Sequence, residues 1–264
     1  MRLPSGARLV DVPEADVPIL ITIPLSHYSE KARWGLDRAR IPYKENRHSP
    51  GFHALAVRRA GGQRSVPILV TSEGVIGDSS DILLWANERA ATGCQLFPED
   101  AAARKEVLAL EAWFDQDLGP HVRRAIYFEL LPLAGLAIPM WTDGVPRHER
   151  LLSPLFYRPM RMIARSMMGI DAAGAKESFD KSMQVMEEVS RLLADGRKYL
   201  TGDRFSAADI TFAALAAPAV CPPGYAVPLP GLEDLPASAA ALLRRVQDTP
   251  AAAFCLRMYR EERR

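Results

Sequence analysis

The amino-acid sequence predicts an α/β domain followed by an all-α domain. Three observations carry that prediction. Over the first hundred residues, short apolar runs of strand type alternate with segments of helical period. From Ala101 onward no strand pattern is convincing, and the periodic segments are helical. Further on, F-S-A-A-D-I-T-F opens a segment that is apolar on nearly every side, as a helix at the centre of a bundle must be.

The elements follow in order. Val17–Ile23 (V-P-I-L-I-T-I) is a continuous apolar run, suited to a strand covered on both faces. Ala32, Gly35, Leu36 and Ala39 then recur at i, i+3, i+4 and i+7, one face of a helix that must stop before Pro42. I-P-Y-K-E-N-R reads as a second strand, and Phe52 to Ala60 as a short helix closed by Gly61-Gly62. S-V-P-I-L-V-T, the turn Ser72-Glu73-Gly74 and V-I-G make a hairpin. A helix with its N-cap among Asp78, Ser79 and Ser80 completes the order βαβαββα. Strands joined by helices are expected to run parallel, with right-handed crossovers, and the hairpin adds an antiparallel strand. T-G-C-Q-L-F-P-E-D reads as a short linker, placing the domains at 1–98, with 1–16 as an extension, and 99–264. In the second domain, 101–118, 172–194 and 238–246 have helical period. Ser206 and Asp209 form a capping box, with Phe205 and Ile210 at the staple positions and Pro222-Pro223 ending the helix.

Composition narrows the function. The chain has 264 residues, 48% hydrophobic and 25% charged, with a formal charge of +1. That is an ordinary globular balance, and it lacks the basic excess expected of a nucleic-acid partner. Three cysteines, far apart and odd in number, fit neither a disulfide framework nor a zinc site and suit a reducing compartment. His48, His121 and His148 show no metal-ligand spacing. The N-terminal stretch is broken by prolines and acids, unlike a signal peptide, and Leu130–Trp141 is about half a membrane span with two internal prolines. The expectation is a cytoplasmic protein without metal, membrane or nucleic-acid partners.

Four motifs stand in order along the chain: P-L-S-H-Y-S-E-K-A-R-W-G-L after the first strand, S-V-P-I-L, G-D-S-S-D-I-L, and F-S-A-A-D-I-T-F. Together they resemble the cytosolic glutathione transferases of serine and cysteine type, whose first domain is thioredoxin-like and whose second is a helical bundle. The resemblance spans about residues 17 to 220. It implies glutathione as cosubstrate, a homodimer and conjugation of the glutathione thiolate to small apolar electrophiles.

The physical need is modest. A thiol pKa near ~8.5 leaves little thiolate at neutral pH. Lowering it by about two units takes roughly 2.7 kcal/mol. One hydrogen bond to a charged group supplies about 1.5–3 kcal/mol, and a helix N-terminus adds about 0.3–2 kcal/mol. A hydroxyl at the mouth of the first helix therefore suffices, and in the resemblance the first residue of the S-x-x-S pair, Ser26, is that donor. Ser29 and Tyr28 are the alternatives, and His27 is expected to be a solvated neighbour. With no cysteine at 26 or 29, disulfide exchange lacks its attacking thiolate.

The resemblance further implies a cis Val66-Pro67 peptide facing the cysteinyl part of glutathione. It places Asp78 and Ser79 on the γ-glutamyl end, and His53 and Arg64, with Gln63 behind them, near the glycine carboxylate. Asp78 is shorter than the family's usual Glu or Gln, which keeps open another low-molecular-weight thiol. It also keeps open a module that binds glutathione or another ligand without catalysis. The segment 121–169 is longer than in typical relatives. Tyr127 and Trp141 there are candidates for a second-substrate pocket, Met160, Met162, Met167 and Met168 for its lining, and Arg158, Arg161 and Arg165 for a basic face.

Overall fold

The structure is a computed structural model and describes residues 17–263; the expected extension at 1–16 lies outside the described residues. The first part contains β1 (Ile19–Thr22), α1 (His27–Arg38), β2 (Lys44–Arg47), α2 (Phe52–Arg59), β3 (Ile68–Thr71), β4 (Gly74–Ile76) and α3 (Ser79–Glu88). The strands form one sheet in the order β2-β1-β3-β4. This is the thioredoxin-like βαβαββα arrangement.

One expectation is corrected. β1 and β2 are parallel, but β3 runs antiparallel to β1 although a helix precedes it. The register shows why. Arg47 at the end of β2 lies across from Thr22, and Ile68 at the start of β3 lies across from Ile21. The chain therefore leaves and re-enters the sheet at the same end, with the two turns of α2 lying across that end. A crossover gives parallel strands only when the chain travels back along the sheet. As a result, the start of β3 and the end of β1 open onto one edge.

The second part is helical: α4 (Ala101–Asp117), α5 (Gly119–Leu130), α6 (Ala134–Trp141), α7 (Arg147–Met167), α8 (Ala172–Leu192), α9 (Ala207–Val220), α10 (Ala237–Gln247) and α11 (Pro250–Glu261). Every residue of α9 is buried, and it packs against α1, α4 and α11. Its start is the capping box read from sequence. Asp209 accepts from the Ser206 backbone N–H at 2.8 Å and from the Leu200 N–H at 2.8 Å. Burial raises the Asp209 carboxyl to about 6 despite these bonds. Buried side chains such as Phe212 and Leu215 contribute about 1.5–3 kcal/mol each.

The segment 121–169, left without assigned elements by its sequence, forms most of α5 and all of α6 and α7. Pro139 lies inside α6, and Pro154 and Pro159 lie inside α7. Each removes one helix hydrogen bond, so α7 depends on its neighbours. Tyr157 donates to the Leu131 carbonyl at 2.8 Å, and Arg124 donates to the Met168 carbonyl at 3.0 Å. The far end rests on the β2–α2 loop. Gly51 there has φ of +93°, a backbone conformation that favours glycine, and a Cβ would fall 2.6 Å from the Met160 methyl, so a larger residue would strain the loop and displace the end of that side chain.

Candidate functional site

The site is built from the end of β1. Pro24 ends the strand, and Ser26, in extended conformation, caps α1 by accepting the Ser29 N–H at 3.2 Å. That bond uses an oxygen lone pair and leaves the Ser26 hydroxyl hydrogen free. Ser26 is half-buried at the edge of a cleft, whereas Ser29 is fully buried and its Oγ has no partner. The two serines therefore face different surroundings. The Tyr28 ring lines the cleft, but its hydroxyl is committed to the Asp115 carbonyl, to which it donates at 3.2 Å, with burial raising the phenol to about 12.

His27 corrects an expectation. It is 3% exposed rather than solvated, and burial, followed by the charge of Arg123, holds its pKa well below the usual value. The imidazole is neutral at physiological pH, with a buried, unpartnered Nε2.

The cleft beside Ser26 has a volume of about 1040 Å³. It brings together Ser26, Tyr28, His53, Arg64, Val66, Tyr127 and Trp141, seven of the residues singled out from sequence. The Val66–Pro67 peptide is cis, and Pro67 itself is buried behind the wall. Tyr127 and Trp141 have ring centroids 6.3 Å apart. α7 forms the roof through Met160, Ile163, Met167 and Met168, but Met162 points outward and is 71% exposed, contrary to the expected lining.

Asp78 lies elsewhere. It borders a separate open cleft of about 750 Å³ with Gly62, Gln63 and Ser65. Ser65 borders both clefts, so they adjoin there. Asp78 is the N-cap of α3 and accepts the Ser80 N–H at 2.8 Å through Oδ1. Ser79 is buried at the first position of that helix.

The charges around the cleft are uneven. His53 accepts the Gly51 N–H at 3.1 Å, and burial lowers its pKa, so it offers no positive charge at neutral pH. Arg64 is exposed on the cleft wall. Arg123 on α5 was not singled out by the sequence. It lines the cleft with its guanidinium 5.9 Å from the Tyr28 ring centre, and its charge reaches His27, Tyr28 and Tyr127. A lone arginine on a helix of unassigned period carries no sequence signal of that role.

Behind the cap lies a second unanticipated feature. Lys31 is fully buried and donates to Glu111 at 2.5 Å, Asp115 at 2.7 Å and Ser80 at 2.9 Å, tying α1 to α3 and α4. Among the described residues no group of three or more His, Cys, Asp or Glu is placed to hold a metal ion.

Comparison with known proteins agrees with this architecture. Residues 20–93 match the family model described as glutathione S-transferase, N-terminal domain. The theta class glutathione S-transferase of Xanthomonas axonopodis pv. citri, solved with glutathione bound, is 18% identical. The alignment covers 91% of this chain and 97% of that one at a TM-score of 0.57. A glutathione S-transferase from Rhodospirillum rubrum F11 is 23% identical, with 93% and 99% covered and a TM-score of 0.55. A beta-etherase from Sphingobium sp. strain SYK-6 is 19% identical, with 91% and 99% covered and a TM-score of 0.57. No curated protein matches the chain in sequence. The fold is thus a thioredoxin-like sheet domain followed by a helical domain. The family match is confined to residues 20–93, the sheet domain, and the likeness to these solved structures extends over the fold of the whole chain.

Proposed function

We propose that this chain is a glutathione transferase in which Ser26 activates the thiol for attack on small apolar electrophiles. The observation that supports this most is the Ser26 hydroxyl. It stands at the N-terminus of α1, beside the cis Val66–Pro67 peptide, with its hydrogen uncommitted. Glutathione would lie along the two adjoining clefts. The free N–H groups at the start of α3, with Ser79, suit the γ-glutamyl carboxylate, and Asp78 keeps Oδ2 for the ammonium. The Val66 backbone would hold the cysteinyl unit, and Arg64 rather than neutral His53 would face the glycine carboxylate. The thiol releases its proton to solvent, and Ser26 donates to the resulting thiolate. The positive end of α1 and the Arg123 guanidinium favour the same anion. The sulfur then forms a bond to the electrophilic carbon as the bond to the leaving group breaks. Tyr127, Trp141 and the methionines of α7 offer the electrophile an apolar, adaptable wall.

Calorimetry with glutathione, followed by conjugation to an aromatic halide, tests this reading. Micromolar-to-millimolar binding and turnover that drops in Ser26→Ala are expected. Binding without turnover would mean a ligand-binding module, and absence of binding would remove glutathione from the account. A homodimer is the proposed assembly, and a sedimentation mass of one chain would overturn it.

A further inference from the structure

The outer surface of α7 is unlike the rest of the molecule. Glu149, Tyr157 and Ala164 mark its buried side. At 100° per residue the opposite side carries Leu151, Leu155 and Met162, which are 78%, 73% and 71% exposed. Leu152, Phe156 and Ile163 flank this row on one side, each at least 39% exposed. On the other side, Arg147, Arg158 and Arg165 fall within about 20° of one another, with Arg150 and Arg161 beyond them. None of these five arginines has an ion-pair partner among the described residues. The one acid of the helix, Glu149, is buried against His48 and Ser49. A chain of formal charge +1 thus concentrates five unpaired cations along one exposed apolar ridge.

We propose that α7 docks on the surface of an anionic lipid bilayer, with its leucines and methionine at headgroup depth and its arginines on the lipid phosphates. The ridge is a convex helix of unbranched and γ-branched apolar side chains, the form that inserts at an interface, rather than a groove that would take a peptide. Arginine stems can lie along the apolar layer while their guanidinium groups reach the phosphates. A two-fold contact with a second copy would set the arginine row against its own image, with no exposed acid on α7 to offset it. α2, which meets α7 through Phe52 and Phe156 with ring centroids 6.2 Å apart, extends the same character. It exposes Leu55 and ends in Arg58 and Arg59, which also lack ion pairs among the described residues. No described helix is long and apolar enough to cross a membrane. The expectation of no membrane partner rested on that absence, and interfacial docking needs no spanning segment. Ile163 and Met167 both line the cleft and are exposed at its rim, so docking would set the cleft mouth at the bilayer, where apolar molecules collect.

Co-sedimentation of the full chain with vesicles tests this. With vesicles of 70:30 phosphatidylcholine and phosphatidylglycerol at 50 mM salt, most of the protein is expected in the pellet. Apparent affinity should fall about ten-fold or more in pure phosphatidylcholine or at 500 mM salt. The double variant Leu151→Glu/Leu155→Glu should stay in the supernatant. The charge-only variant Arg158→Gln/Arg165→Gln should lose about ten-fold, with unchanged far-UV circular dichroism in both. No binding to anionic vesicles, or binding that both variants retain, would overturn the proposal. So would equilibrium sedimentation showing that the wild type self-associates and that Leu151→Glu/Leu155→Glu disperses it with vesicle binding intact.

Discussion

Lys31 and Glu111 form an ion pair of 2.5 Å in which the ammonium is fully buried and the carboxylate nearly so. Asp115 shares the ammonium at 2.7 Å, so one cation holds two carboxylates at the junction of α1, α3 and α4. Removing the cation leaves Glu111 buried without a counter-charge and facing the partly exposed Asp115. Lys31→Met should therefore cost roughly 3–5 kcal/mol in urea unfolding at pH 7.5. Lys31→Met combined with Glu111→Gln should cost less than the single change, because one stranded charge goes with it. A loss under about 1 kcal/mol would place this cluster in the class of surface pairs instead.

The two serines of the first motif make a matched pair. Ser26→Ala loses the cap, worth about 1 kcal/mol of stability, and the proposed donor to the thiolate. The pH profile of conjugation should move up by about one to two units as the thiol pKa returns toward its free value. Ser29→Ala removes a buried hydroxyl with no partner and should be neutral or slightly stabilising, with the profile unmoved. Stopped-flow titration of the bound thiolate absorbance separates the two. A shift in Ser29→Ala alone would exchange their roles.

Much of this was legible from local pattern. Apolar runs, glycine stops and the Ser206–Asp209 box located the sheet, α1 to α3 and the central helix within a few residues. Direction was not legible. The antiparallel entry of β3 depends on where α2 brings the chain back, which residue periodicity does not encode. α6 and α7 were hidden by Pro139, Pro154 and Pro159, since a proline inside a periodic run reads as a break when the anchors that offset it, such as Tyr157 on Leu131, lie elsewhere in the chain. The buried charges of α1 were missed for a related reason. Glu30, Lys31 and Arg33 look like a solvated face until Arg263, Glu111 and Glu45 arrive from distant segments to pair them. Ser26, Tyr28, His53, Arg64 and Val66 meet in one cleft because they sit near element ends that open onto one end of the sheet, Tyr127 and Trp141 reach it from α5 and α6, and Asp78 borders the adjoining cleft.

His27 predicts a pH dependence of stability. A base whose folded pKa lies below its unfolded value of about 6.5 binds fewer protons when folded, so its contribution is present above that value and is lost as pH falls below it. His53 is lowered for the same main reason and acts in the same direction. Asp209, raised to about 6, opposes them between about pH 4 and 6, so the whole-protein curve alone is not diagnostic. The comparison with His27→Asn is. Its melting temperature relative to wild type should rise steadily as pH is lowered from 7.5 to 5. A difference that stays constant with pH would mean that His27 takes up a proton in the folded state as readily as in the unfolded one.

The roof of the cleft hangs from Glu149, which gives a test of how α7 serves the site. Its Oε1 lies 2.5 Å from His48 Nδ1, and its Oε2 accepts the Ser49 N–H at 2.8 Å and the Ser49 hydroxyl at 3.3 Å. Glu149→Ala strands the buried Ser49 N–H and should cost about 1–3 kcal/mol. The loosened helix carries Met160, Ile163 and Met167 on the electrophile side, whereas Arg64, Val66 and Asp78 on the proposed glutathione side belong to other elements. KM for the electrophile should therefore rise several-fold, while glutathione affinity measured by calorimetry changes little. The neighbouring Arg47–Asp143 pair also bridges to this region at 2.7 Å, but Asp143 is 43% exposed. A pair that open to solvent contributes at most about 1 kcal/mol, so Asp143→Asn should leave both constants near wild type. Equal losses in the two variants would mean that α7 is held by its general packing rather than by the Glu149 anchor.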